Sequence, residues 1–302
     1  MSFGIRTLKG MFSDNKVVDS KRLNLFGMQV VRTLAARLAH TFRSADEAEF
    51  VKDKVDELRS EGILVLHDFL PRDLFERVEQ ECRRLLDEKP DKLPDKRFGL
   101  NVLERSKILS VSESELPNVY EFLANPEIHA ILRAAEKRSF DSHFASGRPE
   151  VNRLIQGNIS DEVDVETNLH SDVFFNTHKL WLYLTDIENK DGPFVYVKRS
   201  HRLSLTQLRY IYDESRKQNM GSRRISPEEL EQVGLKETTV TCPKNTVVIA
   251  NTYGYHRRLS GQQGGKREAI HIHLRAHPFR PSNLSVFLIL SYGKLIPLLE
   301  CI

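Results

Sequence analysis

Apolar positions in the first half of the chain recur every three to four residues, a helical period. In 21–43, KRLNLFGMQVVRTLAARLAHTFR, the positions that follow it are Leu23, Phe26, Val30, Leu34 and Leu38. A second helix is expected around 47–60, with Phe50, Val51, Val55 and Leu58 on one side and Gly62 as its stop. ILVLHDF then reads as a buried strand. Pro71 and Asp73 open a further helix carrying Leu74, Val78, Cys82, Leu85 and Leu86. The polar run DEKPDKLPDKR is expected to be a loop, and 118–137 another helical region.

From Arg153 onward the pattern changes to short β-type runs. RLIQGNI, KLWLYLTDI, FVYVKR, ETTVTC, NTVVIANTY, EAIHIHLRAH and SVFLILSY are divided by turn signals such as NKDGP, CPKN and GQQGG. Between them, 205–233 is charged and mostly helical in pattern, an insertion between strands. Helices first and many short strands later predict a mainly β fold, one barrel or jelly-roll core with flanking helices.

Composition narrows the class. The 302 residues are 40% hydrophobic and 29% charged, enough for a core, and the net charge of +3 is too small to argue for nucleic acid. Cys82, Cys242 and Cys301 form neither a disulfide framework nor a zinc knuckle, which fits a reducing compartment. The first residues lack the pattern of a secretory signal, and no apolar run is long enough to span a bilayer, so a cytoplasmic protein is expected. Residues 21–43 contain no acidic residue. A basic amphipathic helix of this kind either packs on its own domain or lies peripherally on an anionic membrane.

NLHSDVFF places His170 and Asp172 two apart, on one face of a strand that is otherwise apolar. A second histidine, His256, follows the strand run NTVVIANTY, and Arg267 opens the next strand eleven residues later. Two neutral imidazoles and one carboxylate can hold non-haem Fe(II) on one side and leave three positions open. The charge left over favours an anionic chelating cosubstrate, such as a 2-oxo acid, with one position remaining for dioxygen. The far carboxylate of that acid needs a cation, for which Arg267 is the candidate. Arg267 shares a strand face with Ala269, His271, His273 and Arg275, too polar for an ordinary core. Gln156 and Asn158, on the strand leading to the His-x-Asp pair, are candidates for contact with cosubstrate or substrate. His178, Ser200, His201 and His277 read as ordinary structural residues.

These segments, with SEGILVLHDFLPRDLFERV and LWLYLTDIENKDGPFVYVKRSHR, resemble the phytanoyl-CoA dioxygenase family of Fe(II)/2-oxoglutarate oxygenases over about 60–277. The resemblance implies a double-stranded β-helix core, of jelly-roll or cupin type. It implies that His170, Asp172 and His256 hold iron, and that Arg267 holds the 5-carboxylate of 2-oxoglutarate. Trp181 stands where the family often has a tryptophan near the cosubstrate. One departure is KRSHR, where the family usually has Pro-Gly before Ser/Thr-His.

The expectation is an Fe(II)-, 2-oxoglutarate- and O2-dependent dioxygenase that hydroxylates a small-molecule, saccharide or lipid-linked substrate. Residues 1–45 would be a basic amphipathic extension, and 46–302 one oxygenase domain with a helical buttress (46–140) and a lid at 205–233. The cationic stretch SRKQNMGSRR in that insertion suggests an anionic substrate, and the apolar C-terminus adds to the membrane reading. The alternative is a catalytically inactive ligand-binding barrel. A halogenase would lack the aspartate ligand, and a zinc hydrolase would have no need of Arg267.

Overall fold

The computed structural model describes residues 17–88, 91–93, 101–157, 164–217, 223–232, 234–274 and 277–279, with side chains undescribed at 91–93 and 223. Asn158, Arg275 and the apolar run from Ser285 lie outside the described residues. The helices are α1 (Lys21–Leu25), α2 (Met28–Thr41), α3 (Lys52–Glu61), α4 (Arg72–Glu88), α5 (Pro117–Leu123), α6 (Pro126–Glu136), α7 (Leu205–Arg216) and α8 (Pro227–Gln232). The strands are β1 (Ile63–Leu66), β2 (Asp91–Leu93), β3 (Val102–Lys107), β4 (Glu150–Ile155), β5 (His170–Ser171) and β6 (His178–Tyr183). They continue with β7 (Phe194–Val197), β8 (Arg223–Arg224), β9 (Glu237–Val240), β10 (Thr246–Asn251), β11 (His256–Arg258) and β12 (Lys266–His273).

The strands form two antiparallel sheets, ordered β1-β10-β6-β12-β4-β3-β2 and β8-β5-β11-β7-β9. This is the mainly β, jelly-roll core that the strand pattern predicts, a double-stranded β-helix with helices on one side. Strand alternation explains how it encloses a site. On β6, Leu180 and Leu182 join the core formed with the helices, while Lys179, Trp181 and Tyr183 face the interior between the sheets. On β12, Ile270 and Ile272 point to the helices, and Ala269, His271 and His273 point inward. Val55 and Leu58 of α3, with Val78, Cys82 and Leu86 of α4, cover the outer face and are essentially inaccessible to water. Each such aliphatic side chain contributes about 1.5–3 kcal/mol.

Three elements differ from the sequence expectation. The run 87–97, read as a loop, contains β2, and β3 lies between β2 and β4. The helical region 118–137 is broken in two at Asn125, whose side chain caps α6. Residues 21–43 form two helices, because Gly27 turns the chain with a φ of 77°. The polarity of α2 is also reversed. Gln29, Arg32, Thr33 and Ala36 are buried, whereas Leu34 and Leu38, expected to face the domain, are exposed.

Gly62 ends α3 with a φ of 81°, and its N–H donates to Leu58 O at 2.9 Å. A Cβ there would lie 2.3 Å from both His201 Nδ1 and the Tyr196 hydroxyl. Gly62→Ala should cost about 1 kcal/mol for the left-handed backbone and about 1–3 kcal/mol more for overpacking. The urea midpoint will read this; an unshifted midpoint would mean that Tyr196 and His201 are free to move.

His201 itself is buried, and its Nε2 donates to Arg59 O at 3.0 Å. That leaves Nδ1 buried with no hydrogen-bond partner among the described residues. Burial, together with the Arg37 cation, pushes the imidazole down to about 4. The folded state therefore binds this proton less readily than the unfolded chain, whose histidine has a pKa of about 6.5. Stability from this residue is full above pH 6.5 and falls as pH drops toward 4, by up to about 3 kcal/mol. Chemical denaturation of the wild type and His201→Gln across that window should show the smaller pH slope in the variant.

Candidate active site

The two histidines meet because they are cross-strand partners. His256 of β11 pairs directly with His170 of β5, and β11 is held on its other side by β7. Opposed residues in an antiparallel pair bring their side chains to the same face. Asp172 joins them from two positions further along, where its N–H donates to Thr252 O at 3.0 Å. Ser171, between them, points the other way and bonds Tyr253 O at 2.8 Å. The turn after β7 supports this corner: Ser200 Oγ donates to Val197 O and accepts the Tyr255 N–H. The Lys198–Arg199 pair still makes that turn, with Arg199 at a φ of 67° and its guanidinium on Glu61 at 2.9 Å.

One ligand-capable atom from each of His170, Asp172 and His256 lies within 4.8 Å of the others. All three residues are buried. His170 Nε2 stands 3.7 Å from Asp172 Oδ1, and His256 Nε2 stands 3.6 Å from Oδ2. The Nδ1 atoms donate to backbone carbonyls, His170 to Asn168 at 2.8 Å and His256 to Gly254 at 2.9 Å. Those bonds fix the tautomer and turn both Nε2 lone pairs toward the carboxylate. His256 Nε2 is buried with no hydrogen-bond partner among the described residues. Two imidazole nitrogens and a carboxylate held this way suit a divalent transition metal.

Electrostatics keep His170 and Asp172 in their ligating forms. Burial, then the neighbouring His256, pushes His170 down to about 4, so it is neutral at pH 7. Burial alone would raise Asp172. Lys179 and the two imidazoles outweigh that and hold its carboxyl well below the usual range. The Lys179 ammonium lies 2.7 Å from Oδ2, though without good hydrogen-bond alignment.

The cluster lines a cavity of about 1100 Å³ between the sheets. Arg267 lines it too, as do Trp181, Phe194, Ala269, His271 and His273. The Arg267 guanidinium donates to Gly192 O at 2.6 Å and forms no ion pair among the described residues. Burial lowers its pKa to about 10, which leaves it charged at neutral pH. Trp181 stacks on His271, ring centroids 5.5 Å apart, and tilts against Phe194 at 4.8 Å. His271 Nδ1 lies 3.3 Å from the Glu150 carboxylate. Gln156 is placed elsewhere: it is buried away from the cavity lining, and its amide donates to Asp191 O at 3.1 Å. His178 is held by Glu136 through both its N–H and its Nδ1, each at 2.8 Å.

Sequence reasoning missed Lys179 and Glu150. Lys179 alternates with Trp181 and Tyr183 on β6, so period-two counting from Trp181 reaches it. Glu150 is visible only through its pairing with His271 in the β4–β12 register. The described part of 205–233 packs α7 on the N-terminal helices and pairs β8 with β5. None of its described residues lines the cavity.

No curated protein matches the chain. Among solved structures, the non-heme alpha-ketoglutarate-dependent epimerase SnoN from nogalamycin biosynthesis is 14% identical, with a TM-score of 0.51, covering 77% of this chain and 94% of its own. HygX from Streptomyces hygroscopicus, solved with nickel, 2-oxoglutarate and hygromycin B bound, is 16% identical, with a TM-score of 0.47, covering 74% of this chain and 86% of its own. At such identities the likeness to SnoN shows the shared fold alone. The family model for phytanoyl-CoA dioxygenase (PhyH) matches residues 58–243, more than half of the sequence. The chain therefore belongs to the phytanoyl-CoA dioxygenase family, as an oxygenase whose cofactors are iron and 2-oxoglutarate.

Proposed function

We propose that the protein hydroxylates an unactivated carbon of an anionic small-molecule, saccharide or lipid-linked substrate. The observation that carries this reading is a cavity lined both by the His170–Asp172–His256 cluster and by Arg267, a cation without an acidic partner among the described residues. His170 and His256 would ligate iron through Nε2 and Asp172 through a carboxylate oxygen. Arg267 would take the 5-carboxylate of 2-oxoglutarate in two-point contact. When bound, iron and 2-oxoglutarate supply the oxidising chemistry: dioxygen is consumed, succinate and carbon dioxide are released, and the substrate gains a hydroxyl.

The chain's own residues orient and enclose. Lys179 steadies the Asp172 carboxylate from one side. Trp181, Phe194 and His271 form an aromatic wall that excludes water from the cosubstrate. Toward solvent, the lining includes Arg105, Lys107 and Arg148. Arg105 is 3.7 Å from Glu150, and its Nε is buried with no hydrogen-bond partner among the described residues; Lys107 and Arg148 are exposed. These cations favour a phosphate- or carboxylate-bearing substrate and replace the insertion as the reason to expect one. Residues 46–302 would act as one oxygenase domain, with 1–45 as an extension, in the cytoplasm.

The test is anaerobic addition of Fe(II) and 2-oxoglutarate, followed by oxygen and a panel of anionic metabolites and lipid headgroups. A weak visible charge-transfer band and substrate-stimulated succinate release are expected. A band with no succinate under any condition would favour the inactive ligand-binding barrel; no band at all would reject both.

A further inference from the structure

The geometry points to the outer face of α2 as a docking surface for an anionic lipid membrane. Val31, Leu34, Leu38 and Phe42 are spaced by three, four and four residues, so they form one stripe along the helix. They are 51%, 42%, 57% and 80% exposed. Leu25 and Phe26, at the turn into the helix, are exposed as well. A helix packed on a soluble domain normally shows water its polar side. Here the polar side faces in and is fastened there. Arg32 is completely buried, its guanidinium 3.6 Å from the centre of the Phe174 ring. Gln29 accepts the Val18 N–H at 2.9 Å, and Arg37 reaches the His201 carbonyl and lies over Tyr253. Rotating the helix to hide the stripe would break all of these contacts, so the stripe is held outward.

Charge selects the occupant. Residues 21–43 contain no acidic residue, and Lys21 and Arg22 are exposed beside the stripe. An apolar stripe with exposed cations at one end and no carboxylate in 21–43 fits a helix lying in a lipid interface, where anionic headgroups attract the cations. Arg43 donates to Pro278 O at 2.8 Å, and the chain from Leu284 onward, outside the described residues, reads LSVFLILSYGKLIPLLECI. No helix among the described residues is long and apolar enough to cross a membrane, so the contact is peripheral. This inference stands on α1 and α2 and is independent of the oxygenase chemistry.

The experiment is flotation of the full chain with vesicles of equal parts phosphatidylcholine and phosphatidylglycerol, against phosphatidylcholine alone. The wild type should float with the anionic vesicles and release as salt is raised. Leu34→Ser/Leu38→Ser/Phe42→Ser should lower the partition coefficient at least about tenfold, given the apolar area lost from the interface. Its thermal midpoint and 2-oxoglutarate turnover should stay unchanged. Lys21→Glu/Arg22→Glu should weaken binding only to the anionic vesicles and only in low salt. Wild type that fails to float in low salt, or a serine variant that floats equally well, overturns the proposal. So does a wild type that stays off the vesicles and forms a dimer that the serine variant lacks, which would make a second copy the occupant. Failure to float combined with new protease cleavage within 284–302 in the serine variant would assign the face to the chain's own tail.

Discussion

Asp172→Ala should yield a folded protein that no longer retains ferrous iron. Two effects act together. The only carboxylate among the three clustered ligands is lost, and Lys179 then faces the two imidazoles, with Glu166, 3.5 Å from His170 Nε2, outside the cluster. A metal ion entering that corner meets an ammonium where it would have met a carboxylate. Even the outer partners of metal ligands are worth about 10–100-fold in affinity, so a loss beyond about 100-fold is expected here. Anaerobic Fe(II) titration followed by the charge-transfer band measures it directly. Turnover at the normal rate in this variant would remove the cluster from the reaction. Asp172→Asn serves as the companion, because it keeps the shape and the backbone bond to Thr252 while removing the charge.

Arg267→Ala should separate cosubstrate binding from metal binding. The guanidinium is suited to grip a carboxylate at two points and forms no ion pair among the described residues, and it is partly screened from water, where such contacts are strongest. Truncating one partner of an enclosed charge pair costs about 2–5 kcal/mol. The 2-oxoglutarate requirement should therefore rise about 30- to 5000-fold, while iron affinity stays near that of the wild type. Arg267→Lys should fall between, since a point charge cannot make the paired contact. Succinate release measured against 2-oxoglutarate concentration gives the answer, and an unaltered concentration dependence would assign Arg267 only to its bond with Gly192.

The sequence was most readable where strand alternation and chemistry coincided. Arg267, Ala269, His271 and His273 share a face by period-two counting, and the structure sets that face in the cavity with the two histidines and the aspartate. What was not readable depended on partners distant in the chain. VLERSK has too few apolar positions to announce β3, which exists because β4 supplies its hydrogen bonds. Gln156 looked suited to reach a ligand, yet its amide found the Asp191 carbonyl. The helix in 21–43 was legible as amphipathic but not in its orientation. Apolar positions normally turn inward, and nothing local announces that Phe174 will cover Arg32 and reverse that rule.

The pairing of β11 with β5 also has a consequence in time. His170 and Asp172 are synthesised more than eighty residues before His256 and Arg267. Until they arrive, a growing chain has one imidazole and one carboxylate, a pair that binds divalent ions weakly and without selectivity. On the proposed ligand set, the three ligands can meet only once β11 has paired with β5, and a half-made chain would offer no competent redox centre to oxygen.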